Sequence, residues 1–277
     1  MLKLMYITKR PEIARIAEDA GVDWIFVDME FIGKDSRQGG LDTVQNHHTV
    51  DDVRSIKMAV QKAKVLVRVN PIHKALPNYP SSKDEIDAAI EAGADILMLP
   101  FFKTVEEVRL FIDLVDGRAK TLLLIETIEA ANLIDVILEV PGIDMIHLGL
   151  NDLHLQLGMS FMFELLADGT VERLGSKIKA KGIPFGFGGI ATLEGGTMPG
   201  AMVLKEHYRL GSSMVIVSRS FCNTDVVTDL NEVKAIFTDG IKAIRDLELE
   251  AQTASPEYFE VNRLEVIKSV KRIIGVN

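Results

Sequence analysis

The chain has a single cysteine, Cys222, so no intramolecular disulfide can staple it and no Cys-x-x-Cys pair can bind zinc or do redox chemistry. No apolar run approaches the roughly 18 residues that a membrane span needs. The opening Met1-Leu2-Lys3-Leu4-Met5-Tyr6-Ile7 stretch is too short for a signal h-region. A cytoplasmic setting without membrane attachment is therefore expected. Clustered Lys and Arg are missing too, and the formal charge is −9. Phosphate neutralisation needs such clusters, so nucleic acid is not an expected partner. With 47% hydrophobic and 26% charged residues, neither disorder nor a fibrous class fits.

What the sequence does contain is alternation. Short apolar, β-branched runs take turns with longer segments whose apolar residues recur every three or four positions, which implies parallel strands joined by crossover helices. The runs predict strands at Leu2 to Ile7, Trp24 to Glu30, Val65 to Asn70, Ile96 to Pro100, Thr121 to Thr127, Met145 to Leu150, Pro184 to Ile190 and Met214 to Ser218. Helices are expected over Pro11 to Ala20, Val50 to Ala63, Lys83 to Ala92, Val105 to Val115, Ile128 to Val140, Val171 to Lys181, Met202 to Tyr208 and Val226 to Glu250. Thr104 with Glu107 reads as a capping box, and Gly21, Gly93, Gly117 and Gly182 as helix stops. Eight such units in 277 residues predict one α/β domain over 1–277, a (β/α)₈ barrel, whose typical length is roughly 250 residues. A final helix with Leu264, Ile267, Val270 and Ile274 along it exceeds what a barrel needs, so 257–277 is expected to serve homo-oligomer contacts. The connection from Phe31 to His48 is outsized, which marks it as either functional or disordered, and it lies at the catalytic face.

In such a barrel the strand C-termini carry the chemistry, so polar groups that end apolar strands are the candidates. Glu126 after strand five and Asp152 after strand six can supply two hard oxygen ligands to a divalent cation, Mg²⁺ or Mn²⁺. Asp152 also fits a plain role in the first turn of a short helix. Arg68, ending strand three, can grip a carboxylate and help stabilise an enolate. Asp28 and Glu30 share a strand face, and Glu30 is the expected contributor because it lies nearer the mouth. Phe101 and the glycines Gly188 and Gly189 are candidate substrate contacts. No lysine looks placed to form a Schiff base, since Lys120 enters strand five and Lys103 starts a helix. His147 reads as a packed core residue.

The motifs Val27-Asp28-Met29-Glu30, Val67-Arg68-Val69-Asn70, Gly93 to Pro100, Ile125-Glu126-Thr127 and Ile146-His147-Leu148-Gly149-Leu150-Asn151-Asp152-Leu153 resemble, in order and spacing, those of the HpcH/HpaI aldolase and citrate lyase β-subunit family. The resemblance runs from about Ala17 to about Phe221 and is loose after Gly158. It implies Glu126 and Asp152 as ligands of Mg²⁺ or Mn²⁺, Arg68 as the contact of a 2-oxo acid such as pyruvate, and cleavage or formation of a carbon–carbon bond through a metal-stabilised enolate. The family's oligomers would give the C-terminal helix its role. The chain departs from the pattern at Phe31, where pyruvate aldolases carry a catalytic histidine, and at Leu124, where they carry glutamine. His47 or His48 is then the expected base, His48 being the stronger candidate, and Glu91 matches the acid that pairs with the aldolase histidine. The departures leave two other readings, a citrate-lyase-like enzyme acting on a coenzyme A thioester and a non-catalytic ligand-binding barrel.

Overall fold

The computed structural model describes residues 1–34 and 48–275. His47, most of the long connection after Phe31, and residues 276–277 lie outside the described residues. Eight strands close into a barrel in sequence order: β1 (Lys3–Ile7), β2 (Trp24–Asp28), β3 (Lys64–Arg68), β4 (Ile96–Leu99), β5 (Lys120–Ile125), β6 (Met145–Leu148), β7 (Phe185–Ile190) and β8 (Met214–Val217). Every pairing is parallel, and β8 returns to β1. The described helices are α1 (Pro11–Ala20), α2 (Val50–Ala59), α3 (Ser82–Glu91), α4 (Val105–Val115), α5 (Ile128–Asn132), α6 (Ile134–Ile137), α7 (Leu150–Gln156), α8 (Glu164–Ala167), α9 (Thr170–Ala180), α10 (Gly200–Leu210), α11 (Leu230–Gln252) and α12 (Pro256–Ile273). The expected (β/α)₈ barrel with an added C-terminal helix is the fold observed.

Strand alternation builds two cores. Met5, Phe26, Leu66, Met98, Leu122, Leu124 and Met214 point inward and fill the barrel. Their alternates, among them Leu4, Ile25, Val67, Leu97 and Leu123, face the helices. This inward set fixes which strand-end side chains reach the mouth, because the residue two beyond an inward position also faces in.

The helix ends follow local chemistry. Thr104 and Glu107 form the reciprocal capping box at α4, and Gly21 ends α1 in the left-handed region at φ 104°. After α4 two successive residues are left-handed, Asp116 at φ 49° and the expected Gly117 at φ 66°. The single helix expected over Ile128 to Val140 is broken at Leu133 into α5 and α6. Helix α7 is the short helix that one reading of Asp152 allowed, whereas α8 spans too few turns to show a period.

At the end of the barrel away from the strand C-termini, the buried Glu248 carboxylate of α11 accepts from Leu2 N (2.6 Å), the Tyr208 hydroxyl (2.9 Å) and Arg245 (2.6 Å). This contact pins α11 under the start of β1. Helix α12 packs on α10 and α8 of its own chain, where Asn262 Nδ2 donates to Met202 O (3.0 Å) and to the buried Glu206 (2.9 Å). Its buried face runs through Asn262, Val266, Ser269 and Val270, and Leu264 of the expected stripe is exposed.

Candidate active site at the barrel mouth

The register pairs Asp28 with Arg68 directly across β2 and β3. Both face inward, and Arg68 Nε and Nη2 donate to Asp28 Oδ1 and Oδ2, each at 2.8 Å. Arg68 Nε also lies 3.3 Å from Glu30 Oε2. A second cation joins them: Lys34 Nζ donates to Asp28 Oδ2 at 3.0 Å and stands 3.6 Å from Glu30 Oε2. All four groups are buried or nearly so. Burial opposes the Arg68 cation, but Asp28, Glu30 and the more distant Glu126 outweigh it and hold its pKa well above the usual value. The geometry is that of an arginine fixed along one edge by a fork-to-fork pair. Asp28 lines the central cavity with Arg68, and Glu30 is not among the residues of that wall. Lys34, which the sequence did not single out, is buried and reaches the cavity wall.

Across the mouth, Glu126 follows β5 and is 3% exposed. Its Oε1 accepts from Phe101 N at 3.0 Å. To aim that N–H, Phe101 adopts φ 47°, a left-handed conformation that costs a bulky residue about 1–3 kcal/mol. Phe101 thus meets the site through its backbone, and its ring lies under Lys103 Nζ at 5.5 Å instead of on the cavity wall. Gly149, on the neighbouring strand end, leaves room for Glu126: a Cβ there would come within 2.7 Å of Glu126 Cβ and 3.0 Å of Oε2. Helix α7 starts at once, placing the buried Asp152 in its first turn, and the cap position Gly149 has no side chain to serve it. Glu126, Gly149 and Asp152 line the same cavity as Arg68.

His48 enters from the far end of the long connection. Its Nδ1 accepts the Asp28 backbone N–H at 2.9 Å, which leaves the proton of the neutral ring on Nε2. Burial pushes its pKa down to about 4. Both ends of the described connection therefore rest on Asp28, Lys34 on its carboxylate and His48 on its N–H. Phe31, at the position of the aldolase histidine, stacks edge-on against Tyr79 at 4.7 Å. Its N–H and that of Ile32 both donate to Asn70 Oδ1 at 2.9 Å. Asn70 Nδ2 in turn donates to Glu85 at 2.8 Å. Burial raises the Glu85 pKa above the usual carboxylate range. Glu91 is exposed at the end of α3 and does not line the cavity.

On the β6–β7 side, Gly188 and Gly189 line the cavity from within β7, where a bulge interrupts the register between Gly186 and Gly189. A Cβ at Gly186 would lie 2.3 Å from Met214 O, so only glycine fits that bend. His147 is inward on β6 and its Nε2–H donates to Gly188 O at 3.0 Å. Its Nδ1 is buried with no hydrogen-bond partner among the described residues, an omission worth about 1–3 kcal/mol, and burial pushes its pKa down to about 4. The core role expected for His147 holds for one ring nitrogen only. The cavity as a whole measures about 660 Å³.

A model of the HpcH/HpaI aldolase/citrate lyase family matches residues 3–164. None of the curated proteins matches the chain. Among solved structures, an HpcH/HpaI aldolase/citrate lyase family protein from Burkholderia cenocepacia is similar at TM-score 0.62 and 17% identity, over 84% of this chain and 94% of the other. An HpcH/HpaI aldolase from Desulfitobacterium hafniense aligns at 0.60 and 18%, over 84% and 93%. The citrate synthase SbnG aligns at 0.60 and 16%, over 84% and 92%. At such identities these likenesses carry the fold, and the family match carries the kinship.

Proposed function

The chain belongs to the HpcH/HpaI aldolase/citrate lyase family, and from that premise we propose that it is a divalent-metal-dependent carbon–carbon lyase acting on a 2-oxo acid such as pyruvate or on its hydroxylated adduct. The observation that carries the reading is the convergence of Arg68, Glu126 and Asp152 on one cavity at the C-terminal ends of the strands. Glu126 and Asp152 are hard oxygen donors of the kind Mg²⁺ and Mn²⁺ take, with water and substrate completing the shell. Among the described residues no cluster of three or more His, Cys, Asp or Glu side chains is arranged to hold a metal, so the proposed centre uses two protein ligands. When bound, the cation would supply Lewis acidity to the oxo and carboxylate oxygens of the substrate.

The chain's own residues do the rest. Asp28 takes Nε and Nη2 of Arg68, so the remaining guanidinium edge is the part that would meet the substrate carboxylate and the charge growing on the enolate. Glu30 also pairs with that arginine, and Lys34 ties the two carboxylates together. Phe101 N–H orients Glu126, and Gly188 and Gly189 give the substrate a wall without side chains. His48 takes part through the Nε2–H of its neutral ring, as a hydrogen-bond donor, since its Nδ1 lone pair is engaged. Lys34 Nζ is engaged by the carboxylates of Asp28 and Glu30, so the amine serves the acid cluster in place of meeting a substrate carbonyl.

Exchange of the pyruvate methyl protons for deuterium, followed by NMR with and without Mg²⁺ or Mn²⁺, tests the enolate half-reaction without knowledge of the other substrate. Metal-dependent exchange is expected, with a loss of at least a hundredfold in Glu126→Ala together with weaker Mn²⁺ binding. Full exchange and unchanged metal affinity in Glu126→Ala would remove this ligand assignment.

A further inference from the structure

We infer that His147 is a positioning residue for the proposed metal centre: its Nε2–H, donated to Gly188 O, holds the bulge of β7 against Leu150 and thereby sets the first turn of α7, which carries Asp152. The inference rests on the lyase reading only for Asp152 as a metal ligand.

From Gly186 to Gly189 the chain of β7 advances three residues while its partner β8 advances two, from Met214 to Ile216. One residue of β7 is therefore extra, and a bulge leaves such a residue outside the ladder. Gly188, left-handed at φ 49°, has a counterpart in neither register, because β6 pairs with β7 only as far as Phe187. A main-chain carbonyl inside a barrel still needs a donor, and the donor here is the His147 ring of β6 at 3.0 Å. Gly186 makes room for that ring: a Cβ there would lie 2.8 Å from His147 Nδ1. Burial keeps the ring neutral, with a single proton, and Nδ1 has no hydrogen-bond partner among the described residues. The proton therefore belongs to Nε2, and the ring's one polar contact is Gly188.

The bulge bears directly on the metal side of the mouth. A Cβ at Gly188 would stand 3.0 Å from Leu150 Cδ1 and 3.4 Å from its Cγ, so the β7 backbone lies against the residue that opens α7. Leu150 is 1% exposed and precedes the proposed ligand Asp152 within the same turn. The far end of α7 is tied to β5 by Gln156, whose amide donates to Glu126 O at 3.1 Å and accepts from Ile128 N at 3.2 Å. Its near end has the Gly149 N–H on Ile125 O at 2.9 Å but no side-chain cap, and Leu150 takes its place from packing on β7. Without the His147 donor the Gly188 peptide is free to turn, Leu150 follows, and Asp152 changes its distance from Glu126. A centre with two protein ligands depends on that distance for its affinity.

Titration of the protein with Mn²⁺ alone, followed by the EPR signal of the free ion, reads this role without turnover. His147→Phe keeps a ring and removes the donor, and His147→Asn has an amide too short to reach Gly188 O. His147→Gln places an amide N–H at the reach of Nε2. Mn²⁺ affinity is expected to fall by about tenfold or more in the Phe and Asn variants and to stay close to wild type in the Gln variant. Hydrogen exchange of the β7 amides, measured by mass spectrometry without metal, should quicken in the same two variants and not in the third. A purely structural histidine would lower stability in all three without sorting Mn²⁺ affinity by the presence of a donor. Wild-type Mn²⁺ affinity in the Phe or Asn variant, or an equal loss in the Gln variant, overturns the inference. Asp152→Asn separates the two readings. If Mn²⁺ binding does not need Asp152, the proposed metal centre falls and this role with it; binding that needs Asp152 but is indifferent to the donor at position 147 removes the positioning role alone.

Discussion

Asp28 joins more of the site than any other residue. It binds Arg68 through both carboxylate oxygens, Lys34 through one of them, and His48 through its backbone N–H. Removing it leaves two buried cations to share Glu30, and loss of one partner of a buried pair typically costs about 3–5 kcal/mol. Asp28→Ala is accordingly expected to lower the free energy of urea unfolding by about 3 kcal/mol and to weaken pyruvate binding, since Arg68 loses its fixed edge. A variant as stable as wild type would show that the cluster is better solvated than its burial indicates. In the sequence, Asp28 and Glu30 are equivalent by period two and nearness to the mouth favours Glu30, yet Asp28 is the one on the cavity wall. The strand ends at Asp28, so alternation no longer governs Glu30.

At the scale of elements, the turn from β6 into α7 decides how closely Glu126 and Asp152 can approach a common ligand. Gly149 holds φ at −82°, so glycine is needed there for space and not for backbone freedom. Gly149→Ala places a methyl against Glu126 at distances the side chain cannot keep. Overpacking of this kind costs about 1–3 kcal/mol, and the carboxylate must shift. The expected result is at least a tenfold fall in metal-dependent methyl exchange with a smaller loss in unfolding free energy. Unchanged exchange would mean that Glu126 has slack that the packing does not suggest. The elements themselves were legible where they are long: α1 and α4 lie where period and caps put them. The strands end two residues short of the expected Glu30, Asn70 and Thr127, because the polar residues that follow a ladder keep the strand's composition after its hydrogen bonds stop. The short helices α7 and α8 left no period to read.

For the molecule as a whole, buried neutral histidines set the response to acid. Burial lowers His147 and His48 to about 4 and His207 well below its ordinary 6.5. The unfolded chain takes up protons near 6.5 that the folded chain refuses, so this contribution to stability is complete above pH 6.5 and is lost as pH falls toward 4. Thermal midpoints should therefore drop between pH 6.5 and 4, and His147→Phe, which removes one such group from the barrel interior, should make that limb shallower. An unchanged slope in the variant would mean that His147 takes up its proton as readily in the fold as in the unfolded chain.

The sequence by itself determined the barrel, because eight alternations of apolar run and amphipathic segment admit few other closed solutions. It also singled out Arg68, Glu126 and Asp152, since a polar residue that ends an apolar strand has nowhere to go but the mouth. Tertiary structure alone decided that Lys34 returns to the acids of β2, that His48 uses its lone pair on Asp28, that Phe101 serves Glu126 through its backbone, and that α12 lies on its own barrel through Asn262 and Glu206. Each of these depends on groups far apart in the chain meeting at hydrogen-bond distance, and spacing along a sequence carries no information about which partner a polar group will find once the chain has closed on itself.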